Sequence, residues 1–217
     1  MNDDNFTIKL TGSAGDGIIS AGEILFTFLA QRNFYVSLYK DIPSSIRSGL
    51  TSSTITFSNK PILSPVEKCN LLFLLNSSLD SCTLDEINSA SFVFVSERIR
   101  NQIKLHTANQ SNIYFLPTML FTGSKAVMLL GIITNLLGFS AQEMQEIILC
   151  KFLEKKSGTV NRNSFETGFK WAQQERILIT SHLFPSGLEV NLDIMDGNDA
   201  ISHAAIAAGC KFFSSYP

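Results

Sequence analysis

Residues 6–39 read FTIKLTGSAGDGIISAGEILFTFLAQRNFYVSLY, and the order of elements in this stretch decides the fold. Phe6–Leu10 is rich in β-branched and aromatic residues and predicts a strand. Gly12-Ser13-Ala14-Gly15-Asp16-Gly17 follows as a tight glycine-rich turn. From Ile18, the residues Ala21, Ile24, Leu25, Phe28 and Leu29 recur at spacings of three and four, which predicts an amphipathic helix ending near Asn33. Phe34–Tyr39 then predicts a second strand. Strand, helix and strand in this order argue for parallel strands joined by a right-handed crossover. A glycine turn at that junction leaves backbone N–H groups free at the positive end of the helix dipole. Gly12, Ser13, Gly15 and Gly17 are therefore candidate contacts for a phosphate or carboxylate. The same glycines also suit a strand that bends sharply into a closely packed helix with no ligand, and the charge of Asp16 opposes an incoming anion. Both readings stand at the level of these residues.

Working outward, Asp41–Ser53 is polar, contains Pro43 and Gly49, and reads as a loop carrying Arg47 on the carboxyl side of the sheet. Further strands are expected at Thr54–Phe57, Leu71–Leu75, Phe92–Ser96 and Ile113–Leu116, with a short helix over Leu84–Ala90. Short, nearly all-apolar strands suit a sheet covered on both faces. Ser124–Leu137 is apolar almost all round apart from Lys125, Thr134 and Asn135, which predicts a buried helix closed by Gly138. Ser140 and Glu143 have capping-box spacing ahead of a helix over Ala141–Leu153, and a third helix is expected at about Asn161–Gln174. The fold class is thus α/β: a three-layer α/β/α Rossmann-like domain with a mostly parallel sheet over residues 1–175. Residues 176–190, with Pro185 and Gly187, read as a linker. Residues 191–217 then restart with a cap at Asp196–Asp199, a small-residue helix Ala200–Ala208 and a strand Lys211–Phe213. One helix and one strand close no core, so this stretch reads as the truncated start of a second domain and the chain as a fragment or split polypeptide.

Composition excludes several functions. The 217 residues are 45% hydrophobic and only 17% charged, with 17 Phe, which fits a folded protein whose surface is partly covered by partner chains. A net charge of −2 without a basic cluster gives no footprint for nucleic acid. The longest apolar run, Ala126–Leu137, falls short of the ~20 residues of a membrane span. Met1-Asn2-Asp3-Asp4 lacks the positive start of a signal peptide, so the reading is cytoplasmic. Cys69, Cys82, Cys150 and Cys210 form no Cys-x-x-Cys pair and read as reduced, mostly buried thiols that hold no cluster or zinc by themselves. His106, His182 and His203 are scattered and receive no role. No catalytic residue and no metal ligand is assigned.

Residues 12–49, GSAGDGIISAGEILFTFLAQRNFYVSLYKDIPSSIRSG, resemble the opening of the γ-type domain of 2-oxoacid:ferredoxin oxidoreductases. In that family a G-x-A-G-x-G turn precedes a serine and Ala-Gly, here Ser20-Ala21-Gly22. Pro43–Gly49 is similar to its Arg-Gly-Gly loop, with Ser48 in place of the first glycine. Ser124–Gly131 is similar to its Lys-Asn helix, with Ala126 where Asn is usual. Residues 197–217 resemble the start of the α-type domain, in which Tyr216-Pro217 would open a Tyr-Pro-Ile-Thr-Pro motif at the thiamine diphosphate site. A γ-then-α order is typical of the 2-oxoglutarate and related members.

The resemblance implies CoA-dependent oxidative decarboxylation of a 2-oxoacid, with 2-oxoglutarate favoured over pyruvate. Thiamine diphosphate with Mg2+ serves as electron sink, and iron–sulfur clusters pass electrons to ferredoxin. It places those sites on the α portion and a separate β subunit, so this chain alone would bind none of the cofactors and be inactive. Its implied contribution is assembly and a wall of the cleft. Gly12, Ser13, Gly15, Gly17 and Arg47 would contact coenzyme A phosphates or a partner domain. Two alternatives remain at this level: a stand-alone nucleotide-binding module with Asp41 on a ribose, although G-x-x-G-x-G is not the dinucleotide G-x-G-x-x-G, and a non-catalytic remnant.

Overall fold

A computed structural model describes residues 5–42, 50–64, 68–76, 81–106, 112–152, 158–177, 179 and 194–214. Strand β1 (Asn5–Ser13) leads through the glycine turn into α1 (Ile18–Gln31) and β2 (Tyr35–Asp41). β3 (Leu50–Ser58), β4 (Leu71–Leu74), α2 (Ser81–Ser89), β5 (Phe92–Ser96), α3 (Arg100–His106) and β6 (Ile113–Leu116) follow. The chain continues as α4 (Lys125–Leu136), α5 (Ala141–Phe152), α6 (Gly158–Glu175) and α7 (Gly197–Ala207).

The six strands form one sheet in the order β2-β3-β1-β4-β5-β6. β1, β4, β5 and β6 pair in parallel, whereas β3 runs antiparallel to both β1 and β2. The mostly parallel α/β class is as expected, but β2 lies one strand away from β1 because β3 sits between them. Thr51, Ser52 and Ser53, expected in a loop, belong to β3 and pair with Gly12, Thr11 and Leu10. The register explains the misreading. Ser53, Ile55 and Phe57 share a face with Leu10, Ile8 and Phe6, while Ser52, Thr54, Thr56 and Ser58 oppose Thr11, Lys9, Thr7 and Asn5 on the other. One face of the strand is hydroxyl-lined, and Thr7 and Thr56 link their hydroxyls across it at 3.0 Å.

The main core joins Phe6, Ile8, Leu10, Ile55 and Phe57 of the sheet to α1, α4, α5 and α6. The opposite face is apolar only over β4–β6, where Leu72, Leu74, Val93 and Val95 meet Ile87 of α2 and Ile103 of α3. Coverage on both faces thus holds for that half of the sheet. Over β1, β3 and β2 the second face is polar, and α2 reaches it at Lys9, which meets Glu86 at 2.5 Å. The turn-plus-helix Glu97–His106 was not expected; Ile103 is buried and Ile99 partly buried against the same core, too short a pattern to read as a helix.

α4 is buried on every side, as its composition predicts. It crosses α6 at two glycines. A Cβ at Gly131 would stand 2.2 Å from the Phe165 carbonyl oxygen, and one at Gly168 2.1 Å from that of Met128. The two backbones therefore touch. α7 is capped by Asp196, whose carboxylate accepts the Asp199 N–H at 2.8 Å, and none of its residues is buried. Lys211–Phe213 is not a strand among the described residues; it has no ladder partner, and Phe212 and Phe213 are exposed. The thiols also differ from expectation: Cys69 is buried, while Cys82, Cys150 and Cys210 are exposed. Among the described residues no helix is long and apolar enough to cross a membrane.

Candidate functional site

After β1 the chain passes through α1 into the main core, whereas after β4 it leads to α2 in the core on the opposite face. The carboxyl ends of β1 and β4 therefore flank a topological switch point, the place where open α/β sheets form ligand crevices. The glycine turn sits there. Beside it, Leu75, Asn76, Ser96, Arg98, Phe121 and Lys125 line a small crevice at the ends of β4 and β5.

Each glycine of the turn has its own physical reason. The Asp16 N–H donates to the Ser13 carbonyl at 3.0 Å, closing a four-residue turn whose third residue, Gly15, has φ 93°. That conformation demands glycine even though the space around it is open. Gly17 (φ 80°) caps α1 without a side-chain bond, and a Cβ on it would lie 2.8 Å from the Ala126 methyl. Gly12 is squeezed instead: a Cβ there would be 2.9 Å from Ile18 and 3.1 Å from the Asp16 carboxylate. Ala126, which stands where the resembled family has Asn, is the residue that closes over Gly17.

The Asp16 carboxylate turns into the bend. Its Oδ2 accepts the Ser13 N–H at 3.0 Å and the Asn76 amide at 3.4 Å, and its Oδ1 meets the Lys125 ammonium at 2.6 Å. The Asn76 amide also donates to the Ser13 hydroxyl at 3.0 Å. Lys125 opens α4, whose N-cap Ser124 accepts the Val127 N–H at 3.4 Å and donates its own N–H to Ser164 of α6 at 2.9 Å. A chain of hydrogen bonds thus runs from α6 through the start of α4 into the turn. Sequence reading left Asn76 out and gave Lys125 no partner. The available signal was a lone cation on an otherwise apolar buried helix, a position that calls for a counter-charge.

Arg47, Tyr216 and Pro217 lie outside the described residues. Asp41 ends β2 on the sheet edge and is exposed. With β3 between, it stands two strand spacings, roughly 9–10 Å, from β1, which is too far to share a nucleotide with the turn as the adjacent strand of a dinucleotide fold does. The Ser20-Ala21-Gly22 motif has a packing role. A Cβ on Gly22 would be 2.7 Å from Ser53, and Ser53 donates its hydroxyl to the Ile18 carbonyl at 3.2 Å, so α1 rests directly on β3.

Two wider grooves lie away from the turn. One of about 790 Å³ runs between α1 and α5 past Phe28, Arg32 and Ile147. The other, of about 740 Å³, separates the β2 edge from Ile194–Asp199 and holds Glu23, Lys40 and Lys151. Glu23 bonds Lys40 at 2.7 Å and Lys151 at 3.0 Å; chiefly the Lys40 bond holds its carboxyl below the usual range, against the opposing effect of burial. Among the described residues no three His, Cys, Asp or Glu side chains are placed to hold a metal ion.

This domain is a glycine-turn α/β unit with an ordered switch point. Its sequence matches the pyruvate ferredoxin/flavodoxin oxidoreductase family over residues 7–171, and the chain belongs to that family. The fold is shared with the 2-oxoglutarate:ferredoxin oxidoreductase of Magnetococcus marinus, solved with 2-oxoglutarate, coenzyme A and succinyl-CoA bound. The TM-score is 0.79 at 19% identity, covering 99% of this chain and 39% of that one. It is also shared with the γ subunit of a keto/oxoacid ferredoxin oxidoreductase from Geobacter sulfurreducens (TM-score 0.60, 17% identity, 78% of this chain and 99% of that one). Pyruvate oxidoreductase subunit PORC from Thermotoga maritima matches likewise (TM-score 0.63, 16% identity, 77% and 97%). No curated protein matches.

Proposed function

We propose that this chain is the γ-type part of a cytoplasmic 2-oxoacid:ferredoxin oxidoreductase that converts a 2-oxoacid, with 2-oxoglutarate favoured, and coenzyme A to acyl-CoA and CO2. In this reading residues 1–175 form the γ-type domain, 176–190 a linker, and 191–217 the opening of an α-type domain. The observation that carries it is the extent of the fold match. The separate γ subunit and subunit PORC match 77–78% of the chain, whereas the 2-oxoglutarate enzyme matches 99%, α7 included.

In this reading thiamine diphosphate, Mg2+ and the iron–sulfur cluster belong to the α portion and the β subunit. The chain supplies assembly and one wall of the coenzyme A cleft and is inactive alone. Gly12, Ser13, Gly15, Gly17 and Arg47 are its contacts with coenzyme A phosphates or a partner domain. Tyr216 and Pro217 lead toward the thiamine site. Ferredoxin takes the electrons.

The test is co-purification of the tagged chain from its own cells, followed by an assay of ferredoxin reduction. The expected result is a brown complex with a β subunit that reduces ferredoxin when given 2-oxoglutarate and coenzyme A, and does so more slowly with pyruvate. A chain recovered alone, or a complex that oxidises neither acid, would overturn the reading.

A further inference from the structure

A turn that binds phosphate keeps its inward N–H groups for the ligand. In this chain the Ser13 N–H is already given to Asp16 Oδ2 at 3.0 Å. The Asn76 amide joins it at 3.4 Å, and the Lys125 ammonium reaches the other oxygen at 2.6 Å. A backbone N–H, a side-chain amide and a cation converging on one carboxylate make the shell that a bound oxyanion would have. The carboxylate is enclosed as such an ion would be. The Asp16 side chain is 11% exposed, and a Cβ on Gly12 would stand 3.1 Å from Oδ2.

We propose that Asp16 is the resident anion of the glycine turn. Its carboxylate closes the turn to phosphate and clamps together three elements: the β1–α1 turn, the end of β4 at Asn76, and the start of α4 at Lys125. The inference narrows the proposed function: of the two partners offered there for Gly12, Ser13, Gly15 and Gly17, coenzyme A phosphates or a partner domain, it removes the phosphates, and it assigns the Ser13 amide to holding the switch point in shape.

The test uses the full chain with inorganic phosphate at constant ionic strength, so it needs neither coenzyme A nor activity, and the enzymatic reading can fail or hold independently. In the wild type, phosphate leaves the melting midpoint unchanged. Asp16→Ala empties the shell, and phosphate at ten times its Kd then raises the midpoint by about 3–6 °C, saturably. The double variant Asp16→Ala/Lys125→Met loses that response. Equal protection of wild type and Asp16→Ala, or no response in Asp16→Ala, would overturn the proposal. If Asp16→Ala does not fold, the wild type still decides: the Ser13, Gly15 and Gly17 amide resonances should show no saturable shift with phosphate, and a saturable shift rejects the idea.

Discussion

The crossing of α4 and α6 makes a sharp prediction. A Cβ at Gly168 would stand 2.1 Å from a backbone oxygen of α4, and reaching ordinary contact at 3.4 Å requires the helices to part by about 1 Å. Gly168→Ala gains about 1 kcal/mol of helix propensity but overpacks a backbone-to-backbone contact, which costs ~3 kcal/mol. The expected net loss is about 2 kcal/mol, or a fall in midpoint of ~4–8 °C for a chain of this size. Gly131→Ala meets the mirror-image contact at 2.2 Å and should lose a similar amount. Both substitutions force the same separation, so the second costs little once the first is made. With two propensity gains against one shared separation, the double variant should lose about 1–2 kcal/mol where independent sites would lose ~4. Urea denaturation of the four proteins measures this directly. A single variant as stable as wild type, or a double variant showing the full sum, would refute the account of a shared backbone contact.

Two further outcomes follow from the buried and paired groups. Burial pushes the Cys69 thiol up to about 12, and its Sγ donates to the Leu71 carbonyl at 3.2 Å. Native-state alkylation in mildly alkaline buffer should therefore label the exposed Cys82, Cys150 and Cys210 and spare Cys69 until urea unfolds the chain; labelling Cys69 at the rate of the others contradicts its placement. Glu23 has its folded pKa held below the ordinary 4.5, first by the Lys40 bond, so its contribution is fully present above 4.5 and is lost as pH falls through the lower folded value. The midpoint difference between wild type and Glu23→Gln should be worth less than about 1 kcal/mol at neutral pH and vanish in acid. A difference that grows in acid would reverse the sign of the argument.

How much was legible depended on whether a residue's purpose is local. β5 and β6 were placed to the residue, because Phe92–Ser96 and Ile113–Leu116 are compact, β-favouring runs, the first buried almost throughout and the second half-buried at Tyr114 and Phe115. α4 was equally plain, since Lys125 aside, its first turns are all apolar. The beginning of β3 was not. Thr51, Ser52 and Ser53 look like loop residues until their partners on β1 are known, and nothing nearby in sequence announces those partners. The site divided the same way. The turn could be read from its glycines, but whether a phosphate or a carboxylate fills it depended on Asn76 and Lys125, which lie 60 and 109 positions away from Asp16. Charge repulsion between Asp16 and a ligand was foreseen; that Asp16 would take the ligand's place needed three elements brought together.

The antiparallel strand wedged between β1 and β2 also imposes an order of assembly. Among the described residues β2 pairs with no strand other than β3, so β2, though made early, has no place in the sheet until β3, ending at Ser58, has been made, whereas α1 already has β1 to pack on. β2 and β3 then add to β1 as one antiparallel pair, in a register that sets Asn5 against Ser58. Such long-range pairing is slow compared with helix formation, and the open edge of β1 is exposed to other chains in the meantime. The one strand that runs against the rest therefore decides when this half of the sheet can close.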